Sequence, residues 1–394
     1  MRTWFSSLFL LINSQAHMAS AYSQEERDAF FMQQALDLAV KGKGSVSPNP
    51  MVGCVIVDKQ GNRIGSGYHK KYGAAHAEVN AVASIENPDH LKGATVYVTL
   101  EPCAHHGKTP PCAELLASLP IDRVVIAQKD PNPKVNGLGI EKLKAADKQV
   151  QLGVLEEKAE KLNEFFNHVQ QYGRPFVTLK LAQTVDGYVA APDGDSQWIT
   201  GKPARKKVHE WRAFYDAVLV GRNTAMVDNP QLSVRHVQGR QPYRVVLDGP
   251  YTLPKELQLF SDKFEEKTIV VTWNKEASSD DADPMLKLMR HNYFRGQIIR
   301  VAKKDGHVDL RETIQALGTL GIQSVLVEAG QQLASALLRE GLVDKLECFI
   351  APKLLGSGTR SIMDLGINGM RDICTLKEVR WSQVGDDLLL SAYI

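Results

Sequence analysis

Apolar residues recur along the chain at two periods, and the alternation of those periods predicts its elements. Between 23 and 42, Phe31, Ala35 and Leu38 share one helical face behind Ser23 and Glu26, whose spacing is that of a capping box. Breakers from Gly42 to Pro50 mark a loop. A buried strand is predicted at Met51–Asp58, then a turn at Asp58 and Gly61 and a second strand at Arg63–Tyr68. His76–Ile85 reads as a helix and Ala94–Leu100 as a β-branched strand. Pro110 and Pro111 open a helix through Leu119, because proline suits the first helical turn. Arg123–Gln128 is another strand. A charged amphipathic helix over 156–172 stops near Gly173.

The alternation then resumes. Strands are predicted at Phe176–Ala182, Ala217–Gly221, Tyr243–Asp248, Thr268–Trp273, Gln297–Val301 and Ser324–Glu328. Helices are predicted over 203–215, 308–318 and 331–340, and closing strands at Lys345–Ile350 and Leu388–Ile394. The stretch 274–295 is polar, acidic near its start, and reads as a surface excursion. Both halves are therefore α/β, divided as 23–172 and 173–394, with 1–22 as an N-terminal extension. No internal repeat or low-complexity tract interrupts them.

Composition narrows the class. The length of 394 residues suits two domains. Hydrophobic residues at 43% and charged residues at 23% describe a folded chain. With 47 basic and 45 acidic residues, the net charge of +2 offers no basic excess for nucleic acid or an anionic membrane, so neither is expected as a partner. Five cysteines, odd in number and sparse, do not make a disulfide framework. They read as reduced thiols of a cytoplasmic protein, available as metal ligands. No apolar run approaches the ~20 residues of a spanning helix. Trp4–Ile12 is a short apolar run behind a single basic residue, Arg2, a weak signal-peptide pattern with no small-x-small cleavage site close behind it. With Met18 just ahead of the folded pattern, 1–22 reads as an extension or a misassigned start.

The first chemistry is a metal site. His76-Ala77-Glu78 opens a helix; Glu101-Pro102-Cys103 follows a strand; Pro111-Cys112 opens a second helix. One imidazole and two thiolates make three good zinc ligands, and zinc prefers four, so a position stays open for water, as in a catalytic site. The helix dipole at His76 and Cys112 favours the thiolate that binds metal. Zinc would bring the pKa of its water to about 7. Glu78, two residues from His76, can reach that water and relay its proton to a ring nitrogen and the departing amine. The pattern is the signature of zinc deaminases of nucleobases with one departure: the second cysteine follows the first after eight residues rather than two. His105 and His106 are rival ligands but read as loop residues shaping the pocket, since three ligands are already supplied. Cys54 reads as core, and Cys348 and Cys374 have no partner in view.

These segments resemble a known family. Asn49-Pro50-Met51-Val52-Gly53-Cys54, Gly65-Ser66-Gly67-Tyr68-His69, His76-Ala77-Glu78 and the run from Thr99 to Cys112 are similar to the deaminase half of the bifunctional deaminase/reductases of riboflavin biosynthesis. The expanded cysteine loop is the most specific mark, separating the chain from cytidine and tRNA-adenosine deaminases. The resemblance runs from about Glu25 to the end. It implies a cytidine-deaminase-like three-layer domain followed by a dihydrofolate-reductase-like domain, with zinc and NADPH as cofactors. It also implies that Asn49 and His69 contact the pyrimidine ring. On the residues alone, Asn49 reads as well as a loop residue bonding its own backbone. Lys108 reads either as a phosphate contact or as an exposed loop lysine.

The second half is less legible from its own residues. No Gly-x-Gly-x-x-Gly follows a strand and opens a helix, so a Rossmann fingerprint is absent. Ala329-Gly330 is a tight turn between a strand and a helix, whose first N–H groups can hold a phosphate, or is an ordinary βα turn. The resemblance supplies the rest. It implies that Ala182, Trp198, Thr200, Thr224, Asp228 and the turn Gly330, Gln331, Gln332 and Leu333 face NADPH. It implies that Lys180, Ser196, Arg212, Leu232, Arg235 and Glu328 face the substrate. Arg212 and Arg235 suit a clamp on a ribose phosphate, and Lys180 suits polarising the sugar carbonyl or donating its proton. Trp198 reads equally as core and Asp228 as a helix cap. Gly249 stands where a serine is expected near the cofactor.

The reading is therefore an enzyme of two steps on one small pyrimidine ribosyl phosphate: zinc-dependent hydrolytic deamination, then NADPH-dependent reduction of the ribosyl group to ribityl. A homo-oligomer is plausible for such an enzyme, and no motif carries it. Two alternatives differ in kind: a nucleoside or tRNA deaminase with an accessory domain, and a non-enzymatic zinc-held scaffold that binds nucleotides or RNA. An open coordination site beside Glu78 argues against the scaffold, because structural zinc is normally closed by four protein ligands.

Overall fold

The computed structural model describes residues 23–104, 111–132, 135–274 and 294–394. The extension 1–22, His105, His106, Lys108, Pro110 and most of 274–295 lie outside the described residues. The chain divides into two compact units between Tyr172 and Gly173.

In the first unit a five-stranded sheet is built from β1 (Gly53–Val57), β2 (Arg63–Tyr68), β3 (Thr95–Leu100), β4 (Arg123–Gln128) and β5 (Gln149–Leu152), in the order β2-β1-β3-β4-β5. β1 runs antiparallel to β2 and β3, while β3, β4 and β5 are parallel. Successive side chains of a strand point to opposite faces. Val55 and Val57 accordingly pack under α1 (Gln24–Ala39) with Phe31, Met32, Ala35 and Leu36. Cys54 and Ile56 pack on the other face with Ala77 and Ala81 of α2 (Ala77–Ala83), Leu116 of α3 (Cys112–Ser118) and Leu143 of α4 (Leu138–Ala145). This is the expected three-layer arrangement. The capping box at Ser23 and Glu26 is formed. β5 and α4 are additions to the sequence reading.

The helix expected over 156–172 is two helices, α5 (Glu156–Leu162) and α6 (Glu164–Tyr172). Asn163 breaks it. Its side chain accepts from Met51 N at 2.8 Å and donates to Met51 O at 3.0 Å, pairing like a strand residue with the segment entering β1. Local propensity yields here to a buried polar satisfaction that sequence pattern cannot display.

The second unit holds a nine-stranded sheet. Its members are β6 (Phe176–Thr184), β8 (Ala217–Gly221), β9 (Tyr243–Leu247), β10 (Thr268–Thr272), β11 (Gln297–Arg300), β14 (Ser324–Glu328), β15 (Lys345–Ala351), β17 (Lys377–Val384) and β18 (Asp387–Tyr393). The order is β11-β10-β9-β8-β14-β6-β15-β18-β17, parallel up to β15 and antiparallel after it. Two small ribbons pair β7 (Tyr188–Ala190) with β16 (Thr359–Arg360), and β12 (Lys303–Lys304) with β13 (His307–Val308). Helices α7 (Lys202–Phe214), α8 (Arg222–Asp228), α9 (Gln258–Ser261), α10 (Leu310–Thr319) and α11 (Gln331–Arg339) connect the strands. Val177, Leu179, Leu219, Val245 and Ile269 form one core face with Ile314 and Leu317 of α10 and Leu337 of α11. Ala204 and Val208 of α7 pack with Phe349 and Leu389. Parallel strands place all their C-terminal ends on one rim, where the loops that carry function collect.

Candidate active sites

Two glycines set the corner of the first site. A Cβ at Gly67 would stand 2.4 Å from Ala81 N and 2.6 Å from Ala77 O, and one at Gly65 would stand 2.7 Å from Ala81 O. β2 therefore receives α2 at backbone contact. This brings His76, the N-cap of α2, to His69 just beyond β2, with ring centroids 5.5 Å apart and nearly perpendicular.

Cys103 follows β3, and Cys112 is the first residue of α3. The Cys112 N–H donates to Cys103 Sγ at 3.3 Å, so the helix start cups the other thiol. His76 Nδ1 lies 3.7 Å from Cys103 Sγ and 3.4 Å from Cys112 Sγ, and the three ligand atoms lie within 4.8 Å of one another. Tetrahedral zinc with bonds of about 2.3 Å to sulfur and about 2.05 Å to nitrogen requires N···S separations of about 3.6 Å. The donor set fits that ion in both chemistry and size. Among the described residues no other group of three His, Cys, Asp or Glu side chains comes within such reach. The Cys103 thiol is held well below its ordinary value by its bonds with Cys112 and His76, against the opposing effect of burial. Glu78, 3% exposed, has its carboxyl raised to about 7 by burial, with Cys103 adding to the rise.

Asn49 and His69 meet at the same place. His69 Nδ1 lies 3.1 Å from Ala75 O, which can only accept, so Nδ1 carries the proton. His69 Nε2 then accepts from Asn49 Nδ2 at 3.1 Å. Burial lowers the His69 pKa and keeps the ring neutral. Asn49 thus bonds His69 rather than its own backbone. Glu101 has a role that the motif alone does not reveal. Its carboxylate accepts from the N–H groups of Asp130 (3.2 Å), Gly137 (3.0 Å), Gly139 (2.9 Å) and Ile140 (3.2 Å). It anchors the start of α4 to the strand end that presents Cys103. Cys54 is fully buried in the core.

In the second unit the C-terminal ends of β8, β9, β10 and β14 open on a cavity of about 1210 Å³. Gly221 and Gly330, the N-caps of α8 and α11, line it together with Thr224, Gln331, Gln332 and Leu333. A Cβ at Gly330 would meet Thr224 Oγ1 at an ordinary 3.6 Å, so Gly330 and Thr224 stand side by side where the first N–H groups of α11 border the cavity. Such a cradle fits the phosphates of a dinucleotide. Ala182, Trp198, Thr200 and Asp228 are not in this lining. Trp198 is 61% exposed rather than core; Arg205 lies 4.2 Å over its ring and donates to Thr200 O at 2.6 Å. Ala182, on β6, packs against the α7 cluster. Asp228 is the last residue of α8, ahead of Asn229 in the left-handed conformation.

Lys180 and Glu328 are register partners on β6 and β14. Arg212 Nε and Nη2 donate to the two Glu328 oxygens at 2.6 and 2.9 Å, and Nη1 donates to Ser233 O at 3.2 Å. Three of its five N–H donors are thus engaged. Arg235 bonds Gln231 Oε1 at 2.9 Å. Burial works against the Glu328 charge, but Arg212, then Lys180 and His209, hold its carboxyl down to about 2. Burial lowers the Lys180 pKa, opposed by Glu328. Leu232 is 2% exposed with φ 51°, and Ser196 is half-buried.

Two residues that the sequence reading passes over support this site. Arg244, 1% exposed on β9, donates to Gln231 O (3.1 Å), Asp262 (2.6 Å), Leu259 O (3.0 Å) and Thr268 (2.7 Å), fixing the loop that carries Leu232 and Arg235. Its signal is a lone cation within an apolar strand. His209 packs edge-on against His236 at 4.6 Å and is brought down to about 4 by burial, then by Arg212.

Residues 25–128 match the cytidine and deoxycytidylate deaminase zinc-binding region, and residues 175–390 match the RibD C-terminal domain. The riboflavin biosynthesis protein RibD of Actinobacillus pleuropneumoniae is 41% identical over 369 residues, 92% of this chain and 94% of that one. Acinetobacter baumannii RibD superposes with a TM-score of 0.82 at 36% identity, covering 94% of this chain and 99% of that one. The diaminohydroxyphosphoribosylaminopyrimidine deaminase/5-amino-6-(5-phosphoribosylamino)uracil reductase of Thermotoga maritima gives 0.81 at 37% identity, with the same coverage.

Proposed function

The chain belongs to the RibD family, bifunctional deaminase/reductases of riboflavin biosynthesis, and from that premise we propose how its residues divide the work. The enzyme removes an amine from 2,5-diamino-6-ribosylamino-4(3H)-pyrimidinone 5′-phosphate by zinc-dependent hydrolysis. It then reduces the ribosyl group to ribityl with NADPH.

His76, Cys103 and Cys112 hold the zinc, which when bound supplies a Lewis acid with a vacant position for water. Glu78 takes a proton from the attacking water as its oxygen bonds the amine-bearing ring carbon, and relays protons to the ring nitrogen and then to the leaving amine, so that the exocyclic C–N bond breaks and ammonia departs. Asn49 and His69 orient the pyrimidine. The His69 tautomer fixed by Ala75 supports this, since it makes the Asn49 amide nitrogen the donor to His69 and so sets the amide's plane.

In the second unit Thr224 and residues 330–333 hold the phosphates of NADPH, which when bound supplies hydride. Lys180, flanked by Glu328, gives its proton to the sugar oxygen. Arg212 holds Glu328 in place, and Arg235 meets the substrate phosphate. Ala182, Trp198, Thr200 and Asp228 complete the cofactor side; Ser196 and Leu232 complete the substrate side. We assign the enzyme to the cytoplasm on the strength of its five free cysteines. No helix among the described residues is long and apolar enough to cross a membrane.

The observation that carries the reading is the convergence of three zinc donors from two helix starts and a strand end on one buried carboxylate. The test is to incubate the chain with the diaminopyrimidinone phosphate and NADPH and to follow ammonia and NADPH separately. Ammonia is expected first, with NADPH loss only after it; neither is expected with cytidine. Ammonia release from cytidine, or NADPH consumption without prior deamination, would overturn the assignment.

A further inference from the structure

The cavity on the second unit has one large aromatic side chain in its lining, Trp273, at the C-terminal end of β10. Its partner is Gly249, which follows β9. A Cβ built on Gly249 would stand 1.7, 2.1 and 2.3 Å from Cζ3, Cη2 and Cε3 of the Trp273 ring. Gly249 is not among the positive-φ glycines, so its backbone does not require glycine; the ring does. The two segments are tied together. Thr272 Oγ1 and Trp273 N donate to Gly249 O at 2.6 and 3.2 Å, and Asn274 Nδ2 donates to Pro250 O at 3.1 Å. A large side chain at 273 and none at 249 are thus two halves of one feature.

Position in the sheet says what the feature is for. The strand order is β10-β9-β8-β14-β6. Lys180, to which proton donation at the reduced sugar is assigned, stands on β6, and the phosphate cradle assigned to Gly330 follows β14. The half of a dinucleotide beyond its phosphates therefore runs away from β6, across β8 and β9, toward β10. Trp273 closes that end, with the exposed Lys303 ammonium 5.1 Å from its ring centroid. A flat purine is the chemistry that an indole wall beside cations recognises.

We propose that Trp273 is a cofactor-binding residue of this chain, its indole stacking on the adenine of NADPH, and that Gly249 is the position that makes room for it. The inference rests on assigning this cavity to NADPH.

The test is binding, without turnover. Titration calorimetry of the full chain with NADPH and with adenosine 2′,5′-bisphosphate is run on wild type, Trp273→Leu, Gly249→Ala, the double variant and Gly330→Glu. Trp273→Leu is expected to weaken both ligands by roughly five- to a hundredfold, the range for loss of one base–aromatic stack. Gly249→Ala is expected to weaken them in the wild-type background and to add nothing in the Trp273→Leu background, where its methyl has space. Trp273→Phe keeps a ring. It should bind within about threefold of wild type by the same reasoning, while losing quenching of tryptophan fluorescence by the bisphosphate; it also serves if the leucine variant fails to fold. If Gly330→Glu, folded by circular dichroism, leaves NADPH affinity unchanged, the cavity assignment falls, and the proposal with it. If Gly330→Glu abolishes binding but Trp273→Leu binds the bisphosphate as wild type does, or if the two single losses simply add, the cavity stands and the role of Trp273 is wrong.

Discussion

Replacing Glu328 by Gln tests the electrostatics of the reductase site most directly. The side chains of Arg212 and Glu328 are 10% and 13% exposed, so the pair is screened little by water. Glutamine keeps the shape and removes the charge, leaving Arg212 and Lys180 as neighbouring buried cations. The Glu328 carboxyl sits at about 2 against an ordinary 4.5. That gap corresponds to about 3 kcal/mol of folding free energy at neutral pH, in line with the ~3–5 kcal/mol for breaking a buried pair. The sign follows from the depressed value: the contribution is complete above about 4.5 and fades as the pH falls toward 2. Urea denaturation followed by tryptophan fluorescence reports this unit, since Trp198, Trp211, Trp273 and Trp381 all lie in it and Trp4 alone lies elsewhere. The wild-type advantage should be about 3 kcal/mol at pH 7 and should shrink in acid. Because Glu328 opposes the fall in the Lys180 pKa, the alkaline limb of NADPH consumption should also move to lower pH in the variant. Equal urea midpoints at pH 7, or an advantage that persists unchanged at pH 3, would refute the reasoning.

Other outcomes follow from the same geometry. Glu78→Gln should retain one zinc per chain by metal analysis yet lose ammonia release by about 10²-fold or more, with NADPH binding unaltered. Removal of zinc by a chelator should abolish deamination while NADPH affinity, read by calorimetry, stays within error, because the metal donors all lie in the first unit. Arg244→Met should cost about 3 kcal/mol or more in urea denaturation by stranding Asp262 and should raise KM for the substrate more than that for NADPH, since Arg244 steadies the loop bearing Arg235. Asn163→Ala should cost about 1–3 kcal/mol by leaving the Met51 N–H and C=O unpaired.

How much of this was legible beforehand depended on whether the cause was local. β4, β8 and β14 end where the chain pattern predicts, because β-branched runs there are bounded by turn residues, and β2 does so behind the turn at Asp58 and Gly61. The clustering of His76, Cys103 and Cys112 is legible because each sits at a helix start or strand end that its own sequence marks. The split at Asn163 was not, since its partner Met51 is distant in sequence. β17 was missed because nearly all its residues are exposed and no apolar alternation marks an edge strand. The cavity of the second unit leaves no fingerprint because its lining joins two βα turns, at Gly221 and Gly330, that only the sheet brings together. The pairing of Arg212, on α7, with Glu328 is not legible because the partner lies on β14, far along the chain.

The contact of α2 with β2 through Gly65 and Gly67 has a bearing on how this enzyme can change. Where two backbones touch, no side chain can be trimmed or enlarged to retune the gap, so the placement of the His76 imidazole is set chiefly by main-chain thickness. Drift elsewhere in that layer is absorbed by repacking, whereas at these two sites the smallest possible step, one methyl, pries the histidine from its sulfurs. Selection on this corner should therefore be all or nothing, and adaptation to a new ring must enter from the Asn49 side instead.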